Sequence, residues 1–306
     1  MKVFNNTSQA AGKIKNAVVT TGSFDGVHIG HKIIINRLNQ LAREQNGESV
    51  LITFHPHPRK VLYPEQKDLK LINSQEEKIE LLSKAGLDNL IVIPFSVEFS
   101  KTTSHDFVTK ILIGELGARI IVIGHNHHFG HNRKGDYSYL HALSKEYGFG
   151  VEEIPLKDIE NEIVSSTKIR RALLEGNIQR ANAYLDHQYI IASRLTNGKG
   201  FPGMSAMKTI SSLITEEEKL IPPPGIYATN LFQGENCLKA MSFVLENKQG
   251  QRFVESSLIY DQFNEKIDHG TLYFYKKIKD GNPLNNGEIS GSSVEEAREM
   301  IEELIY

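Results

Sequence analysis

The sequence has little of what marks secreted, membrane or nucleic-acid-binding proteins. Its one cysteine, Cys237, excludes an internal disulfide and fits a reducing cytosol. The formal net charge is −2, so no bulk positive field attracts nucleic acid or a membrane surface. The longest apolar runs, such as ARIIVIG at 118–124, fall far short of the ~20 residues that span a bilayer. The polar N-terminus has no signal-peptide core, and we expect a cytoplasmic protein.

The chain length of 306 residues suits two domains, and the sequence pattern changes near residue 187. Before that point, short apolar, β-branched runs alternate with segments of helical period. This alternation is typical of a parallel sheet covered by helices on both faces, so we predict an α/β domain over 1–186. Its predicted strands lie at 16–22, 48–54, 89–95, 118–124 and 150–156.

The second half has a different pattern. From Tyr189 onward, short strand-like pieces are separated by turn residues, which is typical of a small antiparallel β-barrel. We predict this barrel over 187–306, with an amphipathic helix at 292–306. In open α/β sheets, ligands bind beyond the carboxyl ends of the strands. The unusual residues of the first half follow its first, second and fourth predicted strands, and we expect a site there.

The first unusual segment is GSFDGVHIGHK, residues 22–32. Gly26 and Gly30 permit close backbone approach, and His28 and His31 fall at the start of a helix whose N–H groups attract anions. Two imidazole donors there would stabilise charge on a phosphoryl group during transfer. A helix start without function is one alternative. A zinc site is another, less favoured because structural zinc takes four ligands and no cysteine lies nearby.

Three more segments carry candidate binding residues. The loop FHPHPR at 54–59 combines two stiffening prolines with rings and an arginine, which suits a flat anionic ligand, although an ordinary surface loop is the alternative. Residues 125–131 include four histidines, which indicates a substrate loop or a transition-metal site; the substrate loop is favoured because adjacent side chains diverge. The hydroxyls of SST at 165–167 precede a helix with Arg170 in its first turn, a possible anion site.

In this order, the four segments resemble the adenylyltransferase module of the bacterial FAD synthetases, the bifunctional riboflavin kinase/FMN adenylyltransferase family. That module typically shows G-x-F-D-G-V-H-x-G-H, T-F-x-P-H-P, a G-x-(D/N)-x-x-F-G loop followed by R-x-G-D, and S-S-T-x-I-R. All four motifs occur here within about 15–186. The resemblance implies a Rossmann-like nucleotidylyltransferase domain that converts FMN and ATP, with Mg²⁺, into FAD and pyrophosphate.

The resemblance also implies the residues of each site, with in-line attack of the FMN phosphate on the α-phosphorus of ATP and no covalent intermediate. The implied catalytic set is His28, His31, Asn126 and Arg170. The implied ATP set is Gly22, Ser23, Phe24, Asp25, His28, His31, Ser165, Ser166, Thr167 and Arg170. The implied FMN set is Phe54, His57, Pro58, Arg59, Phe129, Arg133 and Asp136. No residue is predicted as a ligand of a resident metal.

The second half resembles the family's riboflavin-kinase barrel less closely. The family's G-F-P-T-A-N has a threonine where this chain has Gly203, and glycine has no hydroxyl for Mg²⁺. Glu255 lies where the family's catalytic glutamate is expected. We therefore predict a kinase-like barrel without kinase activity. A fully bifunctional enzyme and a non-catalytic flavin or nucleotide-binding regulator are the alternatives.

The expected partners are ATP and FMN, with riboflavin under the bifunctional alternative. Neither nucleic acid nor a membrane is expected, and both a monomer and an oligomer fit the sequence.

Overall fold

The computed structural model describes residues 1–66, 69–125, 127–155, 158–159, 162–198, 209–214, 218–260, 268–282, 284–285 and 289–304. Its backbone contacts divide the chain into two compact units. The first unit is Met1–Leu69 with Lys78–Val164, and the second is Lys70–Glu77 with Ser165–Tyr306. The predicted domain limits at 186/187 remain a prediction about folding units. Among the described residues, no helix is both long enough and apolar enough to cross a membrane.

The first unit is built on a parallel sheet. Its strands are β1 (Lys2–Phe4), β2 (Val18–Thr21), β3 (Ser49–His55), β4 (Asn89–Pro94), β5 (Ile120–Gly124) and β6 (Gly150–Ile154). They pair in the order β1-β4-β3-β2-β5-β6, and every pairing is parallel. The order reverses at β2, which lies between β3 and β5. The carboxyl ends of these three strands therefore border the switch point where open sheets bind ligands.

Helices cover both faces of this sheet. They are α1 (Thr7–Ala10), α2 (Ile29–Glu44), α3 (Pro58–Leu62), α4 (Gln75–Lys84), α5 (Ser104–Asp106) with a π-helix (Phe107–Glu115), and α6 (Tyr137–Tyr147). The first three residues of α4 are counted with the second unit. Two 3₁₀ turns (Phe99–Lys101 and His131–Arg133) and a small hairpin of β7 (Asp158–Ile159) and β8 (Glu162–Ile163) complete the unit. After α5 the helix widens to π-helical turns, as the bond from Leu116 N to Ile111 O shows.

The core follows from strand periodicity. Successive residues of a strand point to opposite faces, so neighbours such as Leu51 and Ile52 join different apolar clusters. The cluster with Leu51 contains Ile35 and Leu38 of α2, and the cluster with Ile52 contains Leu140 of α6. The near-continuous apolar strands are therefore buried on both faces, as predicted.

The second unit contains a closed antiparallel barrel. Its elements are α7 (Ser166–Leu174), α8 (Ile178–Leu185), β9 (Tyr189–Asn197), β10 (Thr209–Leu213), β11 (Gly225–Gln233), β12 (Asn236–Glu246), β13 (Arg252–Leu258), β14 (His269–Asp280) and α9 (Gly291–Leu304). The strands pair in the order β10-β13-β12-β11-β14-β9, and β9 closes the ring on β10. Val294, Ala297 and Ile301 of α9 pack on Met241 and Phe243 of the barrel. The predicted fold class is confirmed in both halves.

Candidate active site

Three rings stack in the loop that leads from β2 into α2. The ring centroids of Phe24 and His31 are 4.4 Å apart, and those of His31 and His28 are 3.6 Å apart. His28 is the N-cap of α2 and His31 lies in its first turn, so both imidazoles are at the start of the helix, as their spacing predicts. We call Phe24, His31 and His28 the histidine stack.

The backbone of this loop is strained and close-packed. Phe24 and Val27 adopt φ values of 46° and 42°, which cost a non-glycine residue about 1–3 kcal/mol. Burial of both side chains offsets this cost. A Cβ at Gly30 would lie 3.3 Å from the His28 ring, and one at Gly22 would lie 3.0 Å from the Phe24 ring. The glycines therefore allow the rings to lie against the backbone, and the stack is held before any ligand arrives.

The electrostatic environment keeps His31 uncharged. Desolvation, followed by the positive charges of His28 and Lys78, holds the pKa of His31 well below its ordinary value. The imidazole is therefore neutral at neutral pH. Its Nδ1 is buried and makes no hydrogen bond within the described part of the chain. A neutral ring with an unused polar atom can contact a ligand without first losing a proton.

A cavity of about 630 Å³ lies beyond the carboxyl ends of β2, β3 and β5. This volume is within the roughly 300–1,000 Å³ typical of small-molecule sites. Phe54, Phe95 and Phe99 form one wall, with edge-to-face contacts between centroids 5.6 and 5.8 Å apart. Arg59 and Arg133 add positive charge to the lining. This aromatic cavity can hold a flat ligand that carries an anionic group.

Phe129 is fixed in the cavity wall by a tight loop. Its N–H and carbonyl both pair with Gly135, at 3.0 Å each, and its carbonyl also accepts a hydrogen bond from Ser104 Oγ at 3.2 Å. A Cβ at Gly135 would lie 2.5 Å from the Phe129 ring. Glycine at 135 therefore lets this ring lie flat against the backbone.

We expect Gly135→Ala to destabilise the protein, because the new methyl and the Phe129 ring cannot occupy the same space. Overpacking of this kind costs about 1–3 kcal/mol. Urea unfolding measures the change in the free energy of unfolding. Gly291→Ala is the control, since a Cβ there meets nothing within 4 Å. Equal stabilities for the two variants would contradict the packing at Phe129.

The predicted anion site at residues 165–170 belongs to the second unit. Ser165 is the N-cap of α7, and its Oγ accepts a hydrogen bond from Lys168 N at 3.4 Å. Arg170 Nε donates to the carbonyl oxygen of Lys70 at 2.9 Å. The predicted ATP residues are thus divided between the two units, with Gly22 to His31 in the first and Ser165 to Arg170 in the second. Asn126, a predicted catalytic residue, lies outside the described residues.

Glu255 is buried on β13 opposite Ser211 of β10. Ser211 Oγ donates to Oε1 at 3.1 Å, while Oε2 has no hydrogen-bond partner among the described residues. A buried carboxylate oxygen without a partner is costly unless a ligand uses it. Gly203, on which the predicted loss of kinase activity rests, lies outside the described residues.

Comparison with known proteins identifies the family. A family model described as FAD synthetase matches residues 11–168, more than half of the chain. The chain belongs to the FAD synthetase family. Similar curated proteins are bifunctional riboflavin kinase/FMN adenylyltransferases. The one from Buchnera aphidicola subsp. Acyrthosiphon pisum is 29% identical over 275 residues, which cover 87% of this chain and 86% of that protein. The one from Listeria monocytogenes is 31% identical over 219 residues, which cover 70% of this chain and 67% of that protein.

A solved structure has the same fold as this family member. It is the crystal structure of a macrolide-efflux protein from Streptococcus pneumoniae, with a TM-score of 0.81 and 26% sequence identity. The match covers 100% of this chain and 99% of that one. That description differs from the enzyme names of the sequence relatives, and only the fold is carried over here.

The cavity contains most of the FMN residues that the family resemblance implies. Five of the seven line it: Phe54, Pro58, Arg59, Phe129 and Arg133. The other two, His57 and Asp136, accept hydrogen bonds from backbone N–H groups at helix starts. His57 Nδ1 accepts a hydrogen bond from Arg59 N at 3.2 Å at the start of α3, and Asp136 Oδ1 accepts one from Tyr139 N at 2.8 Å at the start of α6.

Sequence reasoning missed several residues of the cavity wall. Phe95, Phe99 and Tyr63 line it without having been singled out. Phe95 directly follows β4, so its position at the carboxyl end of a predicted strand was a usable signal. Tyr63 directly follows α3 and Phe99 begins a 3₁₀ turn, and no local pattern marks either as a binding residue.

The histidines at 125–131 have separate partners. His125 Nδ1 lies 3.1 Å from Glu153 Oε1, and His131 Nδ1 lies 3.2 Å from the carbonyl oxygen of Ser100. His127 packs on Phe129, with 6.2 Å between ring centroids. Within the described ranges, no three His, Cys, Asp or Glu side chains converge as metal ligands would. His127, His128 and His131 line the cavity, which favours the substrate loop over the metal site.

His127 predicts a pH-dependent stability. Desolvation, then the charges of His128 and Arg133, lower its pKa from 6.5 to about 4. The unfolded chain therefore takes up a proton as the pH falls below 6.5, while the folded chain does not. The stabilisation is complete above this value and is lost as the pH falls toward 4. Between about pH 7.5 and pH 5, we expect a loss of about 2 kcal/mol from this group.

Urea unfolding of wild type and His127→Gln at both pH values measures this contribution. The variant should lose about 2 kcal/mol less than wild type between the two conditions. An equal loss in both proteins would contradict the buried, neutral state of His127.

Proposed function

We propose that this chain transfers the adenylyl group of ATP to the phosphate of FMN, giving FAD and pyrophosphate. One observation carries the proposal: the aromatic cavity and the histidine stack meet at one point of the chain. Thr21, the last residue of β2, lines the cavity, and the loop of the stack begins at the next residue, Gly22. A flat ring in the cavity and phosphates at the stack would therefore be neighbours, as the two substrates of this reaction are.

The cavity supports the flavin part of the proposal. Phenylalanine rings offer faces and edges to the isoalloxazine ring, and aromatic pairs of this kind contribute about 0.5–1.5 kcal/mol each beyond their burial. Arg59 and Arg133 present planar guanidinium groups, which bind phosphate oxygens with two parallel hydrogen bonds.

The stack supports the nucleotide part. The first N–H groups of α2 have no partner within the helix and point toward the loop, where they attract phosphate oxygens. The imidazoles of His28 and His31 add donors at the same helix end. Mg²⁺ enters with ATP, because phosphate oxygens and water supply most of its ligands in such sites.

The reaction depends on positioning the two substrates and needs no covalent intermediate with the protein. An oxygen of the FMN phosphate attacks the α-phosphorus of ATP, and the bond from that phosphorus to the β-phosphate oxygen breaks as pyrophosphate leaves. Residues of the stack donate hydrogen bonds to the oxygens on which charge grows. The preorganised rings supply these donors without reorganisation at the moment of reaction.

The proposal also holds that the barrel does not phosphorylate riboflavin, because Gly203 replaces the hydroxyl expected for Mg²⁺. A fully bifunctional enzyme is the second candidate. It is favoured by the buried Glu255, whose Oε2 has no hydrogen-bond partner among the described residues, and by the bifunctional names of the relatives.

Two parallel assays decide between these functions. With FMN, ATP and Mg²⁺, we expect the purified chain to form FAD and pyrophosphate. With riboflavin, ATP and Mg²⁺, we expect no FMN, and Glu255→Gln is the control if any appears. FMN formation that this variant abolishes would overturn the inactive barrel. Binding of FMN and ATP without pyrophosphate release would instead support the non-catalytic regulator.

A further inference from the structure

The residues just before α4 belong to the second unit and are bonded to it through their backbone. We call this segment, residues 70–74, the strap. The N–H of Leu71 donates to the carbonyl oxygen of Glu218 at 2.7 Å, and the carbonyl oxygen of Leu71 accepts a hydrogen bond from Leu220 N at 2.8 Å. These two bonds make Leu71 the parallel bridge partner of Lys219. The backbone of the strap is therefore fixed on both sides of Leu71.

A buried ion pair of the same unit holds the strap at its next residue. Lys219 Nζ donates to the carbonyl oxygen of Ile72 at 2.6 Å and to that of Ile190, on β9, at 2.8 Å. It also lies 2.5 Å from Glu77 Oε2, and the side chains of Lys219 and Glu77 are 1% and 0% exposed. The ammonium thus uses all three of its donors inside the unit, and one of them ties the strap to the barrel.

The carboxylate of Glu77 holds the end of the strap. Oε2 accepts a hydrogen bond from Ser74 N at 2.9 Å, and Oε1 accepts one from Ala192 N of β9 at 2.9 Å. A buried ion pair adds little net stability over apolar residues of the same size. Here its polar atoms satisfy backbone groups of the strap and of β9 together, so its loss would free the strap from the barrel.

The first residue of the strap holds a predicted ATP residue. Arg170 lies on α7, and its Nε donates to the carbonyl oxygen of Lys70 at 2.9 Å. A guanidinium is a rigid planar fork, so a bond from Nε to a fixed acceptor sets the direction of its terminal N–H groups. Because Lys70 directly precedes the bridged Leu71, the strap determines the orientation of Arg170. All of these contacts lie within the second unit.

We infer that Lys219 and Glu77 are positioning residues for ATP binding, because they fix the strap whose Lys70 carbonyl orients the Arg170 guanidinium. This inference rests on the proposed function, in which Arg170 is one of the residues that hold ATP phosphate oxygens. A guanidinium that is already oriented loses less conformational freedom when it binds phosphate. Loosening the strap should therefore weaken ATP binding and leave FMN binding unchanged.

The test measures ATP binding to full-length proteins by calorimetry, with Mg²⁺ and without FMN. Lys219→Met with Glu77→Gln removes both charges of the buried pair and loosens the strap. Arg170→Lys keeps the positive charge of the side chain but lacks the planar fork. Arg171→Lys is the control, because this neighbouring arginine of α7 is 65% exposed and its Nε lies 3.8 Å from Glu175 Oε1, within the same helix.

We expect the Kd for ATP to rise about tenfold in the double variant and in Arg170→Lys, the size of effect that one lost charged hydrogen bond produces. Arg171→Lys should match wild type, and the KM for FMN should stay within about twofold in all variants. Glu77→Gln alone should raise the Kd for ATP in the same direction and serves if the double variant does not fold. A wild-type Kd in the folded double variant, or in Arg170→Lys, would overturn the inference.

A double-mutant cycle separates positioning from a general loss of structure. If Lys219 and Glu77 act through Arg170, their substitution should not raise the Kd for ATP further in a protein that already carries Arg170→Ala. A rise by the same factor in that background would show that Arg170 is not the residue they position, and would overturn the inference.

A second readout needs no ligand. Exchange of the Arg170 Nε–H with water can be followed by NMR in the free protein, where the signal is assigned by its absence in Arg170→Lys. It should exchange more slowly than the Nε–H of Arg171, and this protection should be lost in the double variant. Equal exchange of the two arginines in the wild type would overturn the inference. A wild type that shows the predicted protection and ATP shifts but forms no FAD would overturn the proposed function alone.

Discussion

His28→Ala should lower the turnover of FAD formation by about 10²–10³-fold, the usual cost of removing one preorganised donor from a transition state. His28 occupies the N-cap of α2 and stacks on His31 at 3.6 Å between ring centroids. Its loss removes a donor and also leaves one face of the His31 ring uncovered. Because the side chain caps no backbone group of the helix, the fold should persist.

The measurement is the single-turnover rate of FAD formation at saturating FMN and ATP, with circular dichroism and urea unfolding to confirm the fold. His141→Ala is the matched control, because this exposed histidine on α6 lies outside both the stack and the aromatic cavity. It should react at the wild-type rate. A folded His28→Ala protein within a few-fold of wild type would refute the assignment of the stack to the reacting phosphates.

Lys219→Met alone should be the most destabilising of the single substitutions considered. Removal of one partner of a buried ion pair leaves the other charge without compensation and costs about 3–5 kcal/mol. Lys219 Nζ pairs with Glu77 Oε2 at 2.5 Å, and both side chains are buried. In the variant, Glu77 would keep its hydrogen bonds from Ser74 N and Ala192 N but would lose its cation. Adding Glu77→Gln removes the isolated charge, so the double variant should recover most of the loss.

Urea unfolding of the single and double variants measures both effects. Lys84→Met should change the free energy of unfolding by no more than about 0.5 kcal/mol, as is usual for an exposed i,i+4 pair. If Lys219→Met cost no more than this control, the buried ion pair of Lys219 and Glu77 would not exist in solution. If the double variant were less stable than the single one, the uncompensated charge would not be the cause.

The fold was predictable where burial of a strand leaves a recognisable apolar pattern in the sequence. Strands such as β3 and β5 are buried on both faces and therefore read as continuous apolar runs. Strands without such a pattern, β1 and β10 among them, were not predicted. β1 has three residues at the edge of the sheet, and β10 reads TISSL, in which hydroxyl side chains replace most of the apolar pattern. Pairing with β4 and with β9 and β13, rather than local preference, makes these segments strands.

The site was predictable where one segment carries both the backbone geometry and the chemistry. The histidine stack is local, since a glycine-rich turn and the first turn of α2 bring its rings together within eight residues, 24–31. Contacts between distant segments leave no local motif in the sequence. Glu77 and Lys219 are 142 positions apart, and nothing near either residue marks it as half of a buried pair. Lys78, whose charge lowers the pKa of His31, was missed for the same reason.

Transfer of label from ATP tests the central claim most directly. Wild type and His28→Ala are each incubated with FMN, Mg²⁺ and ATP labelled at the α-phosphorus, and the products are separated. We predict that label moves into FAD in a one-to-one ratio with pyrophosphate in the wild type, and far more slowly in the variant. Label that stays in ATP, or appears as free AMP while FMN is unchanged, would contradict the assignment of this chain as an FMN adenylyltransferase.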